Sequence, residues 1–266
     1  MNNFKEKLKN LFPIESQTSD LDKIVLLQTL DLIRKKNSYY KYLEIGSFLG
    51  GSLTPALMDK KCKKVLSIDK RNQILDDERN ENWSYKNVSN ALMVRKINQY
   101  KINTLKLDTY DGDIKEIKND EEFDLIFIDG IHTVENCFSD LINSLRFKKK
   151  NSIILFHDTS IIFKAIKLCL VFLENQKISY KIIKFKNSEM SGLFFGSYIK
   201  NNFKKNYITI ENFNKFCDNA QDKLLLHQIN NRLKIKFKFW RFLKNKYPFK
   251  LELLSKKTKR SLDFHK

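Results

Sequence analysis

FDLIFIDGIHTVENCFSDL, residues 123–141, sets a nearly continuous apolar run directly before Asp129-Gly130-Ile131-His132 and follows it with helical spacing. A strand this apolar is buried on both faces, and a helix that starts a few residues later makes it half of a parallel crossover unit. The same pattern recurs along the chain. KYLEIG (41–46) and KVLSID (64–69) read as strands with a helix from Ser52 to about Lys60 between them, and INTLKLD (102–108) and SIILFHD (152–158) read as two more. Such alternation implies a parallel sheet with right-handed connections and helices on both faces. Residues 19–36 carry Ser19 and Asp22 at capping-box spacing and apolar residues at helical intervals, so a helix is expected there. YKIIKF (180–185) and GLFFGSYI (192–199), joined by a short polar turn, read as a hairpin that closes the sheet.

Ligands of an open parallel sheet lie outside the carboxyl ends of its strands. Four of the five strands end in Asp (Asp69, Asp108, Asp129 and Asp158), and the first carries Glu44 just before Gly46, so acids gather where a ligand is expected. The stretch YLEIGSFLGGSLTPAL (42–57) is strand, glycine turn and helix: Gly46 allows a sharp turn, Gly50 and Gly51 allow close approach, and Ser52 can cap the helix. It is neither Gly-x-Gly-x-x-Gly nor a phosphate cradle ending in Gly-Lys-Ser/Thr. A carboxylate at position 44 repels a pyrophosphate and welcomes a cationic group, which disfavours a nicotinamide-dependent enzyme. Asp69, 23 residues beyond Gly46, is placed to accept hydrogen bonds from both ribose hydroxyls, and Asp108 to reach an adenine amino group. Together these positions describe an adenosine that carries a positive charge and no phosphates.

At these residues the sequence resembles the class I S-adenosylmethionine-dependent methyltransferases over roughly residues 20–199. Asp129-Gly130-x-His132 with Glu135, followed by Phe156-His157-Asp158-Thr159, is similar to the branch that holds cephalosporin hydroxylase-like and macrocin O-methyltransferase-like enzymes. The resemblance implies a Rossmann-like α/β fold with a seven-stranded sheet, six strands parallel and one reversed. It also implies S-adenosylmethionine as cofactor, with Glu44, Gly46, Ser47, Gly50 and Ser52 near its methionine part, Asp69 at the ribose, Asp108 near the adenine, and Asp129 at the edge of the cofactor site.

Neighbouring strands ending at Asp129 and Asp158 bring two carboxylates about 5 Å apart. They repel and take up a proton unless a cation joins them, and oxygen ligands favour Mg²⁺ or a similar divalent ion. The similar sugar methyltransferases carry a second acid just before the later Asp; here His157 stands at that position, and Asp129, Asp158 and His157 form the expected metal set. A sugar or alcohol hydroxyl attacks a sulfonium methyl only once its proton is taken. His132 is then either the general base near neutral pH, with Asp129 beside it, or a helix-start histidine bonded to the backbone. The acceptor is expected to be a hydroxyl of a small molecule or glycan.

The net charge is +19, and residues 200–266 hold 18 Lys and Arg against 5 Asp and Glu. This leaves +13 there and +6 in residues 1–199, which divides the chain into a methyltransferase domain (1–199) and a basic, mainly helical extension (200–266). In the extension, Leu226, Ile229, Leu233, Phe237, Trp240 and Leu243 follow helical spacing. That stripe either packs on the main domain or a second subunit, giving a homo-oligomer, or meets an anionic membrane surface or anionic glycan. A nucleic-acid substrate is less favoured because Asp-Gly-Ile-His replaces the Asn/Asp-Pro-Pro-Tyr/Phe run usual for base methylation. A non-catalytic binding protein on the same scaffold stays open. The four scattered cysteines and the lack of an apolar leader fit a cytoplasmic protein, peripheral to a membrane at most. The polar stretch from Lys70 to Lys86 is either a lid or a surface loop.

Overall fold

The computed structural model describes residues 2–14, 16–70, 88–118, 121–200 and 209–225. The chain divides into two compact units, Met1–Phe216 and Cys217–Lys266, a later boundary than the 199/200 division read from the sequence. A short strand beyond residue 200 joins the sheet of the first unit and carries its limit with it. The second unit is described over 217–225, all helical. The stripe from Leu226 onwards and the stretch after Lys70 lie outside the described residues.

In the first unit, α1 (Asn2–Leu11) and α2 (Asp20–Lys36) precede the alternating core. This core comprises β1 (Tyr40–Ile45), α3 (Thr54–Met58), β2 (Cys62–Asp69), α4 (Asn90–Gln99), β3 (Leu107–Asp111), β4 (Phe123–Ile128), α5 (Val134–Ser144), β5 (Lys148–Phe156) and α6 (Thr159–Asn175). The hairpin β6 (Tyr180–Phe185) and β7 (Ser191–Phe195) follows, then β8 (Ile210–Glu211). The sheet order is β3-β2-β1-β4-β5-β7-β6-β8. β1 to β5 pair in parallel; β7 is antiparallel to both β5 and β6, so β6 shares the direction of the parallel set. The six-plus-one sheet expected from the resemblance is present, and β8 adds a second reversed strand at the edge, antiparallel to β6.

Burial explains the order. Every residue of β4 is buried, as are the last five of β5, because these strands sit in the middle of the sheet with helices on each face. β3 is an edge strand none of whose residues is fully buried, and its apolar content is correspondingly low. The chain runs outward from β1 through β2 to β3, then returns to β4 on the other side of β1. The order therefore reverses between β1 and β4, the switch point at which open α/β sheets bind ligands. Ile45 pairs with Ile128, so Gly46 and Asp129 emerge side by side there.

Candidate active site

Gly46 closes β1 at φ +84°, a left-handed conformation that favours glycine, and an added Cβ would lie 1.9 Å from the Asp129 carbonyl oxygen. The ladder runs on into the loops: Gly46 N donates to Ile68 O and Asp129 N to Ile45 O, each at 2.8 Å, and His157 N donates to Ile128 O at 3.0 Å. The loop backbones are thus registered before any side chain acts.

Beneath the loop, Glu44 is fully buried and accepts hydrogen bonds from the Tyr42 hydroxyl at 2.5 Å and from the Ser52 hydroxyl. Burial pushes its carboxyl up to about 8, although the two hydroxyls act the other way. The Ser47 hydroxyl lies 2.5 Å from that of Ser67, also buried. Glu44, Ser47 and Ser52 therefore brace the loop from inside. Ser52 does not cap α3 either; Leu53 stands at that N-cap without a side-chain bond. Gly50, at φ +82°, packs against Ile97 and Met93 of α4. Asp69, half-buried at the end of β2, accepts the Phe48 N–H at 2.7 Å and so ties the loop across to the second strand.

Asp108 is not at the rim. β3 begins at Leu107 and ends at Asp111, so Asp108 is its second residue, paired in register with Leu66, and its carboxylate meets Lys64 Nζ at 2.8 Å. The position level with Asp69 is Asp111. Next to it, Asp113 is buried beside Lys70 (2.9 Å) and Lys115 (3.2 Å).

Beyond β4 and β5, side chains converge. His132 Nε2 lies 3.0 Å from Asp158 Oδ2 and 3.6 Å from Asp129 Oδ1, yet makes an aligned hydrogen bond to neither. Its closeness to Asp129 and then Asp158 raises it to about 9. His157, 5 % exposed, directs Nδ1 to Asp129 Oδ1 at 3.1 Å and lies 3.2 Å from Asp158 Oδ2, while Nε2 faces Asp22 Oδ2 at 3.3 Å. Burial alone would lower His157; Asp129, Asp158 and Asp22 overcome it and push it up to about 12. Burial works to raise Asp129 and Asp158, but the two histidines hold both below the usual carboxylate range. The site is two imidazoles interleaved with carboxylates.

Residues 43–159 match the family described as "Methyltransferase domain". The central part of the chain is thus similar to a methyltransferase domain. Its fold is similar to that of the O-methyltransferase NovP, with 13 % identity, 65 % of this chain and 78 % of that one covered, and a TM-score of 0.52. More distant are a putative caffeoyl-CoA O-methyltransferase from Staphylococcus aureus, at 17 % identity over 73 % of this chain and 90 % of that one with a TM-score of 0.46. The N-methyltransferase NodS from Bradyrhizobium japonicum WM9 matches at 15 % identity over 73 % and 95 % with a TM-score of 0.44. No curated protein matches the chain significantly.

The rim at the strand ends thus gathers Gly46, Asp69, Asp129, His132 and Asp158, while Asp108 lies away from it. Two further corrections concern the histidines. His157 was expected as a ligand with Asp129 and Asp158, but both its ring nitrogens are taken up by carboxylates; the cluster able to hold a metal is Asp129, His132 and Asp158, whose ligand atoms lie within 4.8 Å of one another. His132, expected as a general base near neutral pH or as a helix-start histidine, instead sits between Asp129 and Asp158, which push it up to about 9. Sequence reasoning missed Asp22 as more than a cap, and Asp113, for which Gly112-Asp113 ahead of a short helical turn was the available signal. Among the described residues, no helix is long and apolar enough to cross a membrane.

Proposed function

We propose that the protein transfers the methyl group of S-adenosylmethionine to a hydroxyl of a sugar, glycan or natural-product-like small molecule, with Asp129, His132 and Asp158 holding a divalent cation such as Mg²⁺. The observation that carries this reading is the convergence of two ionised carboxylates and an imidazole nitrogen beside the glycine loop, at the point where the sheet order reverses. The fit to a cation is chemical: His132 Nε2 is buried without an aligned hydrogen bond while two carboxylate oxygens face it. The carboxylates supply hard oxygen ligands. When bound, the cation lowers the pKa of a hydroxyl next to it.

The chain's own groups supply the rest. Asp69 reaches the ribose hydroxyls from the end of β2, and the Gly46 turn admits the cofactor's methionine part against bare backbone. Glu44, Ser47, Gly50 and Ser52 keep that turn in shape. Asp129 and Asp158 accept the acceptor's hydroxyl hydrogen and aim its oxygen at the sulfonium methyl, so the displacement starts in line. His132 works as base or as ligand only after it releases its proton. The charge of the chain, with +13 of it beyond residue 199 (18 basic against 5 acidic residues), suits an anionic glycan or an acceptor at an anionic membrane surface.

The test is mass spectrometry of cell extracts incubated with the protein and methyl-labelled S-adenosylmethionine, with and without Mg²⁺. Label in alkali-stable ethers of small hydroxyl compounds, increased by Mg²⁺, is the expected result; label in RNA, or in nothing, overturns the reading.

A further inference from the structure

We propose that Asp22, in the first turn of α2, is a positioning residue for the methyltransferase rim: it holds His157 from behind so that the opposite ring nitrogen faces Asp129 and Asp158. The inference rests on the reading of that rim as the site of methyl transfer. Asp22 touches none of the rim carboxylates itself.

A capping acid needs only its own helix terminus. Asp22 does serve that role, accepting from Ser19 N at 3.0 Å and Ser19 Oγ at 2.6 Å. Yet it is 2 % exposed, and burying a carboxylate that only caps a helix is strongly unfavourable unless a cation or several donors offset it. The offset comes from distant parts of the chain. Oδ2 also meets His157 Nε2 at 3.3 Å, and Oδ1 accepts from Ser188 Oγ at 2.6 Å and Glu189 N at 2.9 Å in the turn between β6 and β7.

Two routes then run from Asp22 to the rim. One passes through the imidazole, whose two nitrogens are clamped between Asp22 and Asp129 so that the ring cannot rotate without losing a bond on each side. The other passes through the turn: Glu189 O accepts from Thr159 N at 2.9 Å and Thr159 Oγ1 at 2.8 Å, and Glu189 Oε2 accepts from Ser160 N at 3.1 Å. Thr159 and Ser160 begin α6 directly after Asp158. Asp158 itself sits at φ 49° and ψ 38°, left-handed for a residue with a side chain, a conformation that persists only where its neighbours hold it. Asp22 holds the preceding neighbour, His157, directly and the following one, Thr159, through Glu189. Without it the ring keeps only its bond to Asp129 and can turn about it, and Asp129 and Asp158 lose their fixed spacing.

The experiment compares full-length parent with Asp22→Asn, which keeps the shape of the side chain and an acceptor for Ser188 and Glu189. Ring N–H signals are recorded by NMR on ¹⁵N-histidine-labelled protein, with His157→Gln identifying those of His157. Asp22→Asn is expected to fold, to bind S-adenosylhomocysteine within twofold of the parent, and to show displaced His157 ring signals. It should transfer label to the extract's acceptors at least tenfold more slowly, and the double variant with His157→Gln should be no slower than His157→Gln alone. Ser188→Ala, which takes one donor from Asp22 and leaves the cap intact, should shift the same signals and keeps the test decisive if Asp22→Asn does not fold. His157 signals unmoved in these variants, or transfer losses that multiply in the double variant, overturn the proposal. Absence of transfer by the parent strikes the O-methyl reading instead, and the NMR comparison still decides the part played by Asp22.

Discussion

Replacing Gly46 by alanine should damage the site more than any other single methyl group. The added carbon would fall 1.9 Å from Asp129 O, 2.4 Å from Asp129 C and 2.8 Å from Gly130 N, all backbone atoms of the loop that presents Asp129. Ordinary van der Waals separation requires a shift of about 1.5 Å. The shift is opposed by the Asp129 N to Ile45 O hydrogen bond, 2.8 Å long, which contributes about 1 kcal/mol. Alanine at φ +84° adds about 1–2 kcal/mol of backbone cost, and forcing atoms into a filled space adds about 1–3 kcal/mol. The sum, about 3–6 kcal/mol, is a large share of the ~5–15 kcal/mol that holds a domain folded. Any folded remainder carries Asp129 more than an ångström out of place, enough for about a hundredfold loss of rate. Urea unfolding gives the first quantity, and titration with S-adenosylhomocysteine reports the site. Gly50→Ala is the control, because its added carbon meets the movable side-chain ends of Ile97 and Met93 and should cost less. A Gly46→Ala protein within about 1 kcal/mol of the parent and with unchanged affinity would refute the contact argument.

Three further outcomes follow from the ionised groups. Glu44 keeps a proton when folded up to about pH 8 but loses it near 4.5 when unfolded, so the folded state binds more protons in that window and stability falls as pH rises through it. The slope approaches about 1.4 kcal/mol per pH unit, and Glu44→Gln should flatten it; identical pH profiles of denaturant midpoint for the two proteins would contradict this. Binding of Mn²⁺ as a probe should release close to one proton per site at pH 7.5, because His132, raised to about 9, must deprotonate to ligate. Calorimetry in buffers of different ionisation enthalpy measures this release, and a heat independent of buffer would count against His132 as a ligand. Asp108→Ala should leave S-adenosylhomocysteine affinity unchanged, since that side chain is 61 % exposed and paired with Lys64 on the lower part of β3; a tenfold loss would return it to the cofactor site.

Much of the fold was legible because central strands have no choice of composition. β1, β4 and β5 are buried on both faces and read as apolar runs, and the α2 cap was visible in Ser19 and Asp22, whose reciprocal bonds the structure contains. β3 was misplaced for the converse reason. As an edge strand it buries no residue fully, LDTYD carries little apolar signal, and the preceding INTLKL drew the reading towards the N-terminus. β8, two residues long, has no local signature at all. Within the site, Asp129 and Asp158 could be placed from strand ends alone. The roles of His132 and His157 could not, because what separates them is distance to partners on other elements: Asp22 lies 135 residues from His157 in the chain. Glu44 was readable as an acid in the turn, but its inward orientation depends on the Tyr42 and Ser52 hydroxyls that surround it.

Calorimetric titration of the full-length protein with S-adenosylhomocysteine, repeated on Asp69→Ala, tests most directly whether this rim is a methyl donor's site. The parent should bind one equivalent, and loss of a charged acceptor worth about 1.5–3 kcal/mol should weaken the variant by roughly ten- to a hundredfold. No heat from the parent, or a variant that binds as tightly, would contradict the account.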